Sequence, residues 1–374
     1  MNKKIAFCFL SHSAHIRHQL PIAANYSILN NVQVDLLCTT QAAKQELCEL
    51  LSIYPGHRCK LIFLKGSLFK KISGYLKRRL YPNIRDIIRN NKALFLSYDA
   101  LVTPHHNLDQ VMAYDSNRNI KYICTFHGAG DGDIGFDRRF ADYDLLLTAG
   151  EETRGRLISE GLVHKDNDVS IIGYPKLDGP LPNVAALFDN GKPIFIYNPH
   201  YAAHWQSWGR FGIPILEFFR KNKNWNLIFA PHVKLFNGRA SKELDLYRAE
   251  PNIHIDTSSL KLMDASYTRL ADVYIGDGSS QVYEFLYFSI KPVLFLDAHG
   301  VQDWLLNPNY KMWQMGPVIN SSKQFATVIS SVFDDHKTYI EIQKSMLQSR
   351  FSKKESSAGE RGAQSIASFL GVGV

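Results

Sequence analysis

Apolar positions along the chain fall into short runs of strand length, separated by longer stretches in which apolar residues recur at helical spacing. Ile5–Leu10, Val32–Cys38 and Lys60–Phe63 read as strands, with helices over His15–Asn30 and Gln41–Ile53 between them. Leu101–Thr103, Tyr122–Thr125, Leu145–Thr148 and Ser170–Ile172 continue the strand series, with a helix over Glu151–Glu160. Apolar strands alternating with helices predict an α/β fold whose parallel sheet is covered on both faces.

A stretch dense in Pro and Gly, Gly173-Tyr-Pro-Lys-Leu-Asp-Gly-Pro-Leu-Pro182, interrupts the alternation. It restarts after Asn190-Gly-Lys-Pro193 with strands at Ile194–Tyr197, Leu227–Ala230, His254–Asp256, Val273–Ile275 and Val293–Leu296, and a helix over Ile213–Lys221. At 374 residues the chain exceeds one ordinary core. The expected organisation is a Rossmann-like domain over 1–185, a second over 186–350, and a tail over 351–374 that is polar from Ser352 to Gly362 and helical from Ala363 to Leu370. Two such domains leave a cleft, and ligands of parallel sheets sit outside the carboxyl ends of the strands.

Leu270–Tyr287 condenses this pattern. After the strand Val273–Ile275 comes a turn of small residues, Gly276-Asp277-Gly278-Ser279-Ser280, and then Val282, Phe285 and Leu286 at helical spacing. Strand, hydroxyl-bearing glycine turn and helix start together make an anion site, because the first helical amides lack partners and the macrodipole is positive there. The plainer reading makes Ser279 or Ser280 an ordinary N-cap.

The apolar fraction of 45% and charged fraction of 21% are those of a globular protein. No run of about 18 uncharged apolar residues exists to span a membrane. The start of the chain lacks the cleavage site of a signal peptide and reads as a strand, so a cytoplasmic location is expected. Cys8, Cys38, Cys48, Cys59 and Cys124 are scattered, which predicts reduced thiols rather than a disulfide framework or zinc site. The net charge of +8 is concentrated in residues 65–92, where Lys70, Lys71, Lys77, Arg78 and Arg79 interleave with Leu68, Phe69, Ile72 and Tyr75. That stretch fits either an anionic membrane surface on the inner face of the cytoplasmic membrane or a solvated basic helix face. No recognition motif accompanies the charge, so nucleic acid is not an expected partner.

Polar clusters recur at strand ends. Ser11-His-Ser-Ala-His-Ile-Arg-His18 and Thr125-Phe-His-Gly-Ala-Gly-Asp-Gly-Asp133 lie in the first half; Tyr197-Asn-Pro-His-Tyr201, Phe229-Ala-Pro-His-Val233 and Gly276–Ser280 lie in the second. Imidazole can serve as acid, base or phosphate donor near neutral pH. His127 precedes Gly128, Gly130 and Gly132 and so faces an open loop, unless it merely bonds a backbone carbonyl. His232 either acts on a ligand or caps its own turn. His12 and His15 have no acidic partner nearby and do not make a metal set. Asp131, Asp133 and Asp137 read as loop or capping residues, or, for one of them, as the group that orients His127. No nucleophile elbow, Walker loop or early G-x-G-x-x-G is present, which disfavours α/β-hydrolases, P-loop NTPases and ordinary nicotinamide enzymes.

In order, the chain carries Thr125-Phe-His-Gly128, Ile172-Gly-Tyr-Pro-Lys-Leu-Asp178, Ile196-Tyr-Asn-Pro-His-Tyr201, Ala230-Pro-His232, Ala271-Asp-Val-Tyr-Ile-Gly-Asp-Gly-Ser-Ser280 and Ser357-Ala-Gly-Glu-Arg361. Over roughly residues 95–370 this resembles the CDP-glycerol glycerophosphotransferase family, the teichoic-acid primases and polymerases and their capsule-building relatives. The resemblance implies a GT-B fold, two Rossmann-like domains facing each other across a cleft, with the nucleotide bound mainly to the second. It implies His127 as general base on the acceptor hydroxyl and His232 on the donor pyrophosphate. Ser279 and Ser280 would hold a phosphate, Glu284 a donor hydroxyl, and Asp277 would shape the loop; Gly278, His200 and Pro231 complete the donor side. On the acceptor side the candidates are His12, His15, Asp131 and Asp133.

Three positions depart from the family pattern: Gly278 stands for a tyrosine, Asn198-Pro199-His200 for Ala-Pro-Thr, and Ala230 for an arginine that clamps phosphate. The expected activity is transfer of glycerol phosphate or a related polyol phosphate from a CDP-linked donor to a glycan or lipid-linked acceptor in surface-polymer synthesis. The alternative is an inverting glycosyltransferase using a CMP- or UDP-sugar; a sugar-nucleotide epimerase and a non-catalytic binding module are further readings. Helix amides, hydroxyls and His232 can stabilise the leaving phosphate and His127 can take the proton, so neither a metal nor a cofactor is called for beyond the donor itself.

Overall fold

The computed structural model describes residues 3–10, 15–66, 83–126, 128–130, 136–163, 169–179, 181–236, 242–258 and 260–372. His12, His127, Asp131, Asp133 and the central part of the basic segment 65–92 lie outside the described residues.

The chain divides into two compact units. The first comprises residues 1–127, 136–180 and 349–374; the second comprises 128–135 and 181–348. In the first unit, β1 (Ile5–Phe9), β2 (Val34–Cys38), β3 (Cys59–Phe63), β4 (Ala100–Thr103), β5 (Lys121–Cys124), β6 (Leu145–Thr148) and β7 (Val169–Ile171) form one sheet, in the order β3-β2-β1-β4-β5-β6-β7. Every pairing is parallel. Successive β1 side chains go to opposite cores. Ile5, Phe7 and Phe9 join the cluster beneath the helix Ile16–Leu29, while Ala6, Cys8 and Leu10 join the one on the other face. That two-sided burial is why the strands read as unbroken apolar runs.

The second unit repeats the plan. β8 (Ile194–Asn198), β9 (Asn226–Phe229), β10 (Ile253–Ile255), β11 (Val273–Gly276), β12 (Val293–Leu296) and β13 (Val318–Ile319) pair in parallel in the order β10-β9-β8-β11-β12-β13. Both sheets are Rossmann-like, and each reverses its strand order at one point: between β1 and β4, and between β8 and β11. Loops beyond the carboxyl ends flanking such a point line the usual ligand crevice.

The helix after β8 spans Trp208–Lys221, five residues longer at its start than the expected Ile213–Lys221. Pro214 lies inside it and is solvent-exposed, so the carbonyl deprived of a partner can turn to water. The tail also differs from expectation. A helix begins at Ala358 rather than Ala363, because Ser357 and Glu360 form a reciprocal capping box. Its Ala363, Ile366 and Ala367 pack with Leu20, Ile22 and Ala23 of the first unit. Arg361 secures the junction: Nε donates to the Ile172 carbonyl (2.8 Å) and Nη2 to that of Ser352 (2.9 Å). Asp178 accepts the Ala358 amide and lies 3.7 Å from Arg361. Thus two of the six motifs, Gly173–Asp178 and Ser357–Arg361, meet as a structural clasp. Among the described residues no helix is long and apolar enough to cross a membrane, and all five cysteines are free thiols.

Candidate functional site

The second sheet brings three of the sequence clusters together. Register places Tyr197 beside Ile275 and Asn198 beside Gly276, and on the other side pairs Tyr197 with Phe229. The chain therefore leaves β8, β9 and β11 at one level, through Pro199-His200, Pro231-His232 and Asp277–Ser280. The first two turns are paired by backbone: Ala230 N–H donates to the Tyr197 carbonyl (3.1 Å) and His232 N–H to that of Pro199 (3.0 Å).

The two Pro-His turns share one local geometry. The amide two residues on donates to the histidine Nδ1, Ala202 to His200 (3.1 Å) and Lys234 to His232 (3.1 Å). A ring nitrogen that accepts keeps its lone pair, so these bonds assign the proton of each neutral ring to Nε2. The rings lie 5.5 Å apart, with Tyr201 4.4 Å from His232. Burial first, and then the neighbouring His204 and Lys234, lowers His200 to about 4, so it is a neutral donor at physiological pH. Lys234 Nζ stands 5.0 Å from the Tyr201 ring centre and adds a positive charge to this edge, beside Ala230.

Asp277 ties the edge together. Its buried carboxylate accepts from His200 N (2.9 Å), Gly278 N (2.7 Å), Ser207 N (2.7 Å) and Ser207 Oγ (2.8 Å). Burial raises the carboxyl to about 6 against the pull of those bonds from Ser207, His200 and Gly278. Its carbonyl accepts the Trp313 indole N–H (3.0 Å). Gly278 has no room for a side chain, because a Cβ there would collide with the Trp205 ring. Trp205 itself is 5.3 Å from His200, ring to ring. Thus the position occupied by tyrosine in the family pattern is closed here by a tryptophan from the β8 loop.

At the serine turn, for which the sequence left both an anion site and an ordinary N-cap open, the backbone amides are partly engaged locally. The helix that follows is six residues long, Gln281–Leu286. Gln281 N donates to Ser279 Oγ (3.3 Å), Val282 N to the Ser279 carbonyl (3.3 Å) and Tyr283 N to that of Ser280 (3.1 Å). Ser279 is buried and its hydroxyl also bonds the Tyr274 phenol, which donates to Asn198 Oδ1 (3.1 Å). Asn198 Nδ2 in turn donates to the Ala230 carbonyl (2.7 Å), so a buried polar chain crosses all three strand ends. Ser280 is half-buried and is overlaid by the glycine loop that clusters with this unit: a Cβ on Gly130 would stand 2.8 Å from the Ser280 Cβ. Glu284 and Pro231 are buried.

In the first unit, the loops beyond β1 and β4 bring histidines together. His15 stacks edge-on against His105 (4.4 Å) and His106 follows at 6.2 Å, while His18 meets Tyr174 (5.2 Å). His106 Nδ1 and the hydroxyls of Thr125 and Thr148, at the ends of β5 and β6, are buried without a hydrogen-bond partner. Among the described residues no group of three or more His, Cys, Asp or Glu is arranged to hold a metal ion. Asp137 caps the short helix Arg138–Asp142 through the Arg139 amide. Sequence reasoning passed over Trp205, Ser207, Tyr201, Lys234, His105 and His106. Ser207 lies 70 positions from the carboxylate it serves, a distance no local pattern reveals.

No family model and no curated protein sequence matches the chain. Solved structures do match in fold. The UDP co-structure of S. aureus MnaA is 14% identical with a TM-score of 0.64, covering 99% of this chain and 98% of that one. The UDP-GlcNAc 2-epimerase from Neisseria meningitidis bound to UDP-GlcNAc is 13% identical with a TM-score of 0.61, covering 99% of both chains. The wall teichoic acid polymerase TagF with CDPG is 15% identical with a TM-score of 0.64, covering 98% of this chain and 89% of that one. The chain has the GT-B fold, two Rossmann-like units built on parallel sheets.

Proposed function

We propose that this chain is a GT-B transferase that binds a nucleotide-diphosphate donor at the carboxyl edge of the second sheet and passes the carried group to a hydroxyl of a glycan or lipid-linked acceptor, as in surface-polymer synthesis. One observation carries the reading: two Pro-His turns and the Asp-Gly-Ser-Ser turn converge beside the strand-order reversal between β8 and β11. A leaving phosphate needs donors fixed in advance where its charge grows. The Nε2–H groups of His200 and His232, the Ser280 hydroxyl and the Lys234 ammonium form such a set. Ser279 acts through the turn, since its hydroxyl is engaged inward. Glu284 is assigned to a donor hydroxyl and Asp277 to holding the frame.

In the favoured chemistry the acceptor oxygen attacks the glycerol-bearing phosphorus of a CDP-linked donor, the bond to CMP breaks, and CMP departs with the electron pair. His127 takes the acceptor proton. Within the second unit, a Cβ added to Gly128 would stand 3.6 Å from the Ser280 Oγ, so the glycine loop lies over the serine turn. The second reading is attack on the anomeric carbon of a UDP- or CMP-sugar; the loss of the family's tyrosine at Gly278 and arginine at Ala230 favours keeping it. The UDP-GlcNAc 2-epimerase structure of the same fold, bound to UDP-GlcNAc, adds a third, turnover of donor without acceptor.

A product-nucleotide assay over CDP-glycerol, CDP-ribitol, CMP- and UDP-sugars separates these readings. CMP released from a CDP-polyol only when acceptor is present is the expected result, and UDP released from UDP-sugars alone rejects it. His127→Ala should lower turnover by about 10²–10⁴-fold in a folded protein. Turnover within a few-fold of wild type would remove His127 from the chemistry.

A further inference from the structure

The second unit contains a cavity that the donor reading leaves unused. It opens beyond the carboxyl ends of β12 and β13 and measures about 550 Å³, inside the roughly 300–1,000 Å³ of small-ligand sites. Three aromatic rings, Trp304, Trp313 and Tyr339, and three amides, Gln302, Gln314 and Asn320, share its wall. Among the described residues no Lys, Arg or His lines it, so an anionic ligand would meet no counter-charge from them.

Among the described residues the acidic group in the wall is Asp297, and it is already committed. Asp297 accepts the amides of His299 (3.0 Å), Gly300 (2.7 Å) and Val301 (3.0 Å), which fixes the turn that leads to Trp304. A cation is therefore not called for either. Trp304 and Trp313 meet edge to face at 5.7 Å; Trp313 is buried, so the accessible ring of the pair is that of Trp304. Trp304 is half-buried and Leu305 at the rim is 64% exposed.

Aromatic surface with amide donors and acceptors, and no available charge, matches a ligand that has apolar C–H faces and hydroxyls at its edges. We propose that this cavity binds a neutral sugar residue. Its inner wall is continuous with the candidate donor site, because the Trp313 indole that lines it donates to the Asp277 carbonyl (3.0 Å). A sugar held here lies on the same protein edge as the donor turn. That the sugar belongs to the acceptor glycan rests on the transferase reading; the class of ligand does not.

The test uses the full-length chain, titrated by calorimetry and by tryptophan fluorescence with methyl β-D-glucopyranoside, N-acetylglucosamine and cellobiose. Inorganic phosphate and CMP serve as charged competitors. At least one neutral sugar should saturate, phosphate should leave its binding unchanged, and Trp304→Ala should weaken it about tenfold. Gln314→Leu, a substitution of similar volume at a half-buried position, should weaken it severalfold, and Ser280→Ala should leave it intact. The proposal is overturned if none of the three sugars saturates, if phosphate displaces the sugar, or if neither wall variant changes binding. Sugar binding preserved in a protein that releases no nucleotide from any donor would sink the transferase reading and leave this one standing.

Discussion

His200→Gln isolates the electrostatics of the candidate donor edge. Folding lowers the His200 ring from 6.5 to about 4, which corresponds to about 3 kcal/mol at roughly 1.4 kcal/mol per pH unit. Between those values the unfolded chain binds more protons than the folded one. The contribution of His200 is thus fully present above 6.5 and is lost as pH falls toward 4. Asp277 tilts the other way. Burial raises its carboxyl from 3.8 to about 6, so the folded state binds more protons across that window, and stability falls by about 3 kcal/mol as pH rises through it. The two groups are joined by the His200 amide and oppose each other over nearly the same range. Wild type should show little net slope from this pair. The glutamine variant keeps the amide bond but loses the imidazole titration, which unmasks the Asp277 slope. Urea unfolding followed by tryptophan fluorescence at half-unit steps between pH 4 and 7 reads the difference directly. It should move by about 2–3 kcal/mol in favour of wild type as pH rises. A difference that stays flat, or one that moves in favour of the variant, would refute the assignment of His200 as a half-buried neutral ring.

Gly278→Ala should drive a methyl group into the Trp205 ring and destabilise the protein by about 1–3 kcal/mol. An altered tryptophan emission should accompany the loss, and an unchanged melting temperature would show that the ring moves aside freely. Ser357→Ala should remove the capping box of the C-terminal helix and lower stability by about 1 kcal/mol. Thermal unfolding measures this, and restoration by Thr but not by Val at the same position would tie the effect to the cap.

Much of the fold was legible because a parallel sheet covered on both sides writes each strand as a short apolar run, as Ile5–Phe9 and Val293–Leu296 show. What escaped were elements whose signal is weak or masked. β13 is two residues long, Val318–Ile319, too short for any period to register. The helix start at Trp208 was hidden by Pro214, whose helix-breaking tendency is real but is relieved on an exposed face. The helix Ser322–Asp335 begins with a Ser321–Gln324 capping box that went unread. At the site, the Pro-His pairs and the serine turn stood out as polar residues at strand ends. Their partners did not, because Trp205, Ser207 and Trp313 reach the turn through tertiary contacts, and a packing partner 36 to 73 positions away leaves no trace in local spacing. At the serine turn, where the sequence fits either an open anion site or a capped helix start, Ser279 Oγ accepts the first helical amide, that of Gln281.

The clasp between Arg361, Ile172 and Asp178 has a consequence for biosynthesis. The first unit takes its last helix from residues 358–370, made only after the whole second unit has been translated. Domains commonly fold one after another as they leave the ribosome. Here the earlier-made unit must wait with the apolar flank of Ile16–Leu29 uncovered, while the later-made one can close first. A nascent chain stalled before residue 358 would therefore carry a sticky amino-terminal half, and chaperone capture should be strongest at that length.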